Sequence, residues 1–246
     1  MKKILFLFAI LFTLQLNAQL IPDKYSAIME EMWTMNFKEK LKFLDKKFKG
    51  NINDPWYYWF KADVYSMKED DVNARLCYEK AIEVDPKFAA GNGSYARYLV
   101  SYVHTDFEKA IELSSKAIEL DPKEFNYYLD RADAYLQLKQ FNKAIADAQY
   151  YLEQEDVMVF AGQLMLINCY IEMDDQEKLK ELLMSFEVGQ IDFMAGPVMA
   201  SRIGDYYISY NEPERACGAY RVAAENYELL EGESPAELQK KLANCK

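Results

Sequence analysis

The sequence predicts an all-α fold of stacked antiparallel helix pairs, and three observations predict it. Similar segments recur at about 34 residues. Within them, small and apolar residues return at intervals of three and four, the spacing of one helix face. Asp-Pro pairs, Asp85-Pro86 and Asp121-Pro122, close two of the copies, because proline lacks the amide donor and clashes with the preceding helical turn. Composition agrees: 51% of the 246 residues are hydrophobic, enough for a packed core, and nine Gly with seven Pro are too few for a turn-rich β protein.

The chain opens on a processing segment. Lys2 and Lys3 precede an apolar run from Ile4 to Leu14, and Leu16-Asn17-Ala18 supplies a cleavage site before Gln19. The run is shorter than the roughly 20 residues of a membrane-spanning helix, so residues 1–18 are expected to be a signal peptide, with no transmembrane segment in the mature chain. Its removal takes two lysines and no acid, moving the net charge from −11 to −13. Such a surface repels phosphate backbones and excludes nucleic acid as a natural partner.

The repeated segments follow in order. Asn73-Ala74 to Asp85-Pro86, Lys109-Ala110 to Asp121-Pro122, and Lys143-Ala144 to Ala148 align as second helices. First helices precede them: Tyr58, Ala62 and Tyr65 before Ala74; Tyr128, Ala132 and Tyr135 before Ala144; Ile203, Gly204 and Tyr207 before Ala216, Tyr220 and Ala223. The small residues let two helices approach, and the tyrosines fill the groove left between pairs. Units are placed at 55–88, 89–124, 125–158, 159–192 and 197–230, with a worn copy at 22–54 carrying Phe37 and Leu44. Ser234-Pro235-Ala236-Glu237 reads as a capped helix start, so 234–246 is expected to be the terminal solvating helix of a repeat stack.

The order bulky, small, aromatic, then small, bulky, small, then proline resembles the tetratricopeptide repeat family, over nearly all of residues 19–246. The resemblance implies a right-handed superhelical solenoid that binds partner polypeptides in a concave groove. By position it assigns Trp56, Trp59, Phe60 and Asp63 to that groove in the first full unit. Asn126, Leu129, Asp130 and Asp133 correspond in the third unit, and Val198, Ser201, Arg202 and Asp205 in the last. The functional reading is an aromatic and acidic groove for a protein or peptide. The other reading is that Trp56 and Trp59 only pack against the worn first copy. The basic residues by which some family members clamp a C-terminal carboxylate are missing, since acids or neutral groups occupy most of those places.

Nothing in the sequence points to catalysis, a metal or a cofactor. His104 is the only histidine, without a second to share a metal and without a nucleophile motif near it. No Gly-rich phosphate loop is present. Cys77, Cys169, Cys217 and Cys245 include no CxxC pair. Cys217 and Cys245 lie almost equally far from the turn near Gly232, so two antiparallel helices would bring them level as a disulfide. Cys77 and Cys169 are expected to be buried thiols.

The expected function is therefore a protein–protein interaction scaffold, exported to the periplasm or cell exterior of a Gram-negative bacterium and acting within an envelope assembly. A glycan-binding module using Trp56 and Trp59 is the alternative; it requires both rings exposed and coplanar.

Overall fold

The computed structural model describes residues 23–49, 51–101, 106–186, 196–230 and 234–245. The expected signal peptide and His104 lie outside these residues. Among the described residues there are thirteen helices and no strand, and none of the helices is long and apolar enough to cross a membrane. Where a single stack is expected, the chain divides into two compact units, one ending at Val157 and one beginning at Met158. The division falls at the expected junction between the third and fourth repeats.

In the N-terminal unit, α1 (Asp23–Met32) and α2 (Phe37–Phe48) form the worn first pair. They are followed by the pairs α3 (Pro55–Ser66) with α4 (Asp71–Val84), α5 (Ala89–Ser101) with α6 (Phe107–Leu120), and α7 (Asn126–Gln137) with α8 (Phe141–Leu152). Starts are set by short polar side chains: Asn36 and Glu39 form a reciprocal capping box on α2, and Asp54, Asp70 and Asp106 accept from backbone amides of α3, α4 and α6. Ends of α4 and α6 are set by Asp85 and Asp121. Each side chain accepts from the amide two residues on, across the intervening Pro86 or Pro122. The unassigned register of the second unit is settled as α5, with Ala96 in the place of Ala62 and Ala132.

Pairs close on their small residues. Ala62, Ala74, Ala96, Ala110, Ala132 and Ala144 expose no surface at all. At Gly93 the Tyr127 ring of the next pair lies so close that an added Cβ would fall 2.2 Å from it, so glycine is required there. The first helices of successive pairs also touch, α3 with α5 and α5 with α7, so their outer faces form a row.

The C-terminal unit contains α9 (Val159–Glu172), α10 (Gln176–Met184), α11 (Gly196–Ser209), α12 (Pro213–Leu230) and α13 (Ala236–Ala243). Gly204 and Ala216 make the α11–α12 approach; Tyr220 lies over Gly204, where a Cβ would meet its ring at 2.3 Å. Tyr207 donates to the Leu183 carbonyl at 2.8 Å, tying α11 to α10. The cap helix differs from expectation in its start: α13 begins at Ala236, no side chain caps it, and the Ser234–Glu237 box does not form. Gln239 instead donates its side-chain amide to the Ser234 carbonyl. Cys217 and Cys245 are joined by a disulfide with Cα atoms 5.6 Å apart, while Cys77 and Cys169 are buried and take no part in a disulfide.

One turn recurs in both units. After the first helix of four pairs, a non-glycine residue adopts the left-handed conformation: Glu69, Lys139, Asp174 and Asn211. The next amide then bonds back to a tyrosine carbonyl, Asp70 to Tyr65, Gln140 to Tyr135, Asp175 to Tyr170 and Glu212 to Tyr207, at 2.8–3.1 Å. This is the Schellman closure, which satisfies a carbonyl at the helix end while reversing the chain. The aromatic of the sequence pattern thus also marks the turn.

Candidate functional site

The outer face of each first helix is where the sequence places a partner. Trp56, Trp59 and Phe60 do not line it; they are 8%, 7% and 1% exposed. The worn first pair covers Trp56 and Phe60, through Tyr25 and Phe48. Tyr25 of α1 stacks on Trp56 at 4.8 Å between centroids and donates its hydroxyl to Asp54 at 2.8 Å. Phe88 meets Trp56 edge-on from the other side, and the Trp59 indole donates to Ser94 on α5 at 2.9 Å. Five aromatic rings around one helix start bury more than they could earn as a scattered surface. The two indoles are inclined at 64°, so they offer no flat platform for a sugar.

The polar residues stay nearer the surface. Asn126 donates twice to Glu124, at 3.1 and 2.6 Å, and Leu129 beside it is half-buried. Asp130 is held by Arg97 of the preceding first helix through two bonds of 2.9 and 3.1 Å. This fork raises the guanidinium pKa, chiefly through the Asp130 charge. Asp133 accepts from Gln137 at 3.2 Å. On α11, Arg202 is exposed, flanked by Val198 and Ile208 at 67% and 53% exposure. Asp205 is occupied by the chain itself: Lys241 of α13 approaches to 2.7 Å and Tyr220 donates at 2.8 Å. Asp63 is half-buried, and burial pushes its carboxyl up to about 6 against the lowering influence of Lys40.

Sequence reasoning missed Arg97 and Lys241. For Arg97 a signal existed. The residue directly after the small packing residue is charged in four pairs: Ala62-Asp63, Ala96-Arg97, Ala132-Asp133 and Gly204-Asp205. Once the α5 register is known, Arg97 takes its place in that set. A second network, Arg131 forked onto Asp147 at 2.8 Å and bonded to Ser115 at 3.1 Å, ties α6, α7 and α8 together. It braces the stack.

Two surface clefts offer no paired acids. One, of about 350 Å³ between α4, α5 and α6, has its glutamates neutralised within the helix, Glu112 by Lys109 and Glu119 by Lys116. The other, of about 370 Å³ between α9 and α10, sets a single carboxylate, Glu181, beside Lys178. Among the described residues no group of three His, Cys, Asp or Glu side chains is placed to hold a metal ion.

Comparison with known proteins follows the same lines. Tetratricopeptide repeat models match residues 57–88 and 113–146. A 70-residue stretch is 36% identical to the Protein SGT1 homolog of Oryza sativa subsp. japonica, which is 28% of this chain and only 19% of that protein. Among solved structures, PilW, a widely conserved type IV pilus biogenesis factor, superposes with a TM-score of 0.69 at 15% identity, over 89% of this chain and 96% of PilW. PilF of Pseudomonas aeruginosa gives 0.64 at 14%, over 90% and 96%. A tetratricopeptide repeat protein of Parabacteroides merdae gives 0.57 at 13%, over 84% and 77%. At such identities the likeness is one of fold. Two tetratricopeptide repeats are thus matched directly, at 57–88 and 113–146, and the chain shares the helix-pair fold of these neighbours.

Proposed function

We propose that this chain is an exported scaffold whose first-helix faces bind a partner polypeptide within a cell-envelope assembly. The observation that carries the reading is the repeat architecture itself, a row of first helices whose outer positions hold polar and apolar side chains rather than a catalytic constellation. Leu129 and Asp133 on α7 in the N-terminal unit are half-buried, and separately Val198, Arg202 and Ile208 on α11 in the C-terminal unit are exposed. A preformed face of this kind keeps the ordering cost of association low.

Export is supported by the positive and apolar N-terminal segment and by the Cys217–Cys245 disulfide, since disulfides persist in oxidising compartments. The likeness to PilW, a pilus biogenesis factor, is in keeping with an envelope role. The glycan reading loses its surface, because Trp56 and Trp59 are buried and mutually inclined.

Crosslinking capture from the native envelope, compared between wild type, Leu129→Glu and Val198→Glu, tests the proposal. A defined partner recovered with wild type and lost with at least one variant is expected. Equal recovery with all three would move the binding surface elsewhere. Substituting Trp56 or Trp59 would test folding instead.

A further inference from the structure

The charged residue that follows the small packing residue of the first helix occupies one structural position in four pairs. Three of the four have side-chain partners inside the chain. Arg97 is forked with Asp130, Asp133 accepts from Gln137, and Asp205 receives Lys241 and the Tyr220 hydroxyl. The fourth, Asp63, has no side-chain hydrogen bond or ion pair among the described residues, although it is half-buried on α3. The nearby cation does not reach it: Lys40 places its ammonium 3.9 Å from the Met67 sulfur.

The last pair shows what this position takes. There the cap helix brings a lysine onto the carboxylate, with the ammonium 2.7 and 2.8 Å from its two oxygens and 5.3 Å from the Tyr220 ring centroid. The cap is an occupant supplied by the chain. Among the described residues no lysine or arginine pairs with Asp63 in that way.

We propose that Asp63 is the receiving site for a lysine or arginine side chain of the partner polypeptide, which binds there as Lys241 binds Asp205. This rests on the partner-binding reading above. A carboxylate withdrawn from water without a donor is costly, and an incoming cation relieves that cost by pairing with it. The excess of acids over bases in the chain, −11 overall, favours a basic partner segment in the same sense. Steric and electrostatic selection act together: the long apolar stem of lysine can lie along a half-buried helix face while its head reaches the acid.

The test is a peptide array in which segments of roughly twelve residues carry Lys, Arg, norleucine or Glu at a central position. It is probed with the purified chain as wild type, Asp63→Asn and Glu83→Gln, the last an exposed acid on the second helix α4 paired with Lys80. The best lysine peptide is then titrated by fluorescence anisotropy. Binding that favours Lys or Arg, falls about fivefold or more in Asp63→Asn and is unchanged in Glu83→Gln is the expected result. The norleucine peptide should lose the same factor against wild type. Asp63→Asn removes an uncompensated charge and is expected to fold at least as well as wild type, so lost binding cannot be ascribed to unfolding. Equal lysine-peptide affinity in wild type and Asp63→Asn would overturn the Asp63 assignment while leaving the partner reading intact. An array with no binding at all would overturn both.

Discussion

Asp63 holds a charge where the surroundings oppose it. Its carboxyl stands at about 6 in the folded chain, above its ordinary 3.8, because burial penalises the ionised form. A raised acid pKa means that the folded state binds the proton more tightly than the unfolded state. The penalty is therefore absent below pH 4, grows between 4 and 6, and is complete above 6. Asp63→Asn should raise stability at pH 7.5 by about 1–3 kcal/mol, and urea titrations at pH 7.5 and 4.5 should show the gain shrinking in the acid. At Gly204 the Tyr220 ring leaves no room for a methyl group, so Gly204→Ala should cost about 1–3 kcal/mol in thermal melts. The small residues were legible because their reason is local and repeated: two helix axes must approach at the same step of every pair. The fate of Trp56 and Trp59 was not legible, since it depended on whether the worn copy folds over Trp56 and whether α5 brings Ser94 to Trp59. Phe37 and Leu44 hinted at that copy, but Tyr25, which stacks on Trp56, and Phe48, which meets Phe60, stood outside the recognised pattern.

Two devices set how the elements join. The left-handed turn after the first helix recurs at Glu69, Lys139, Asp174 and Asn211 without glycine at any of them. Side chains in this conformation are strained, so Glu69→Gly and Lys139→Gly should each raise stability by about 0.5–1 kcal/mol in denaturant titrations. A drop would mean that their side chains do more than occupy the turn. The other device is the fork between Arg97 on α5 and Asp130 on α7, which couples adjacent first helices. A double-mutant cycle on Arg97→Ala and Asp130→Ala should return a coupling of about 1–3 kcal/mol, with each single change worse than additivity implies. Helix ends were readable where chemistry punctuates them, as at Asp85-Pro86. The start of α13 was not, because a capping box needs a serine in the right dihedral as well as the right sequence, and Pro235 stands at the cap position instead.

At the scale of the whole chain, repeat architecture came from periodicity alone, whereas the division at Val157 and Met158 did not. The pattern of a repeat records the packing of its own helices, so the point at which compact units part leaves no mark on it. The cap is held less by apolar burial, where Leu238 is its single buried residue, than by the disulfide and the Lys241–Asp205 pair. Cys217→Ser should therefore lower stability by about 2–4 kcal/mol and make the last residues the first to be cut in limited proteolysis. Equal proteolysis of wild type under oxidising and reducing conditions would contradict this.

The three tryptophans, at 33, 56 and 59, all belong to the N-terminal unit, two of them in its densest aromatic packing. The Cys217–Cys245 bond belongs to the other unit. Indole emission during a melt will thus report one half of the chain, and the rate at which a reductant opens the cystine will report the other. The protein carries two native reporters, and whether its halves lose structure together can be read without attaching a label to either.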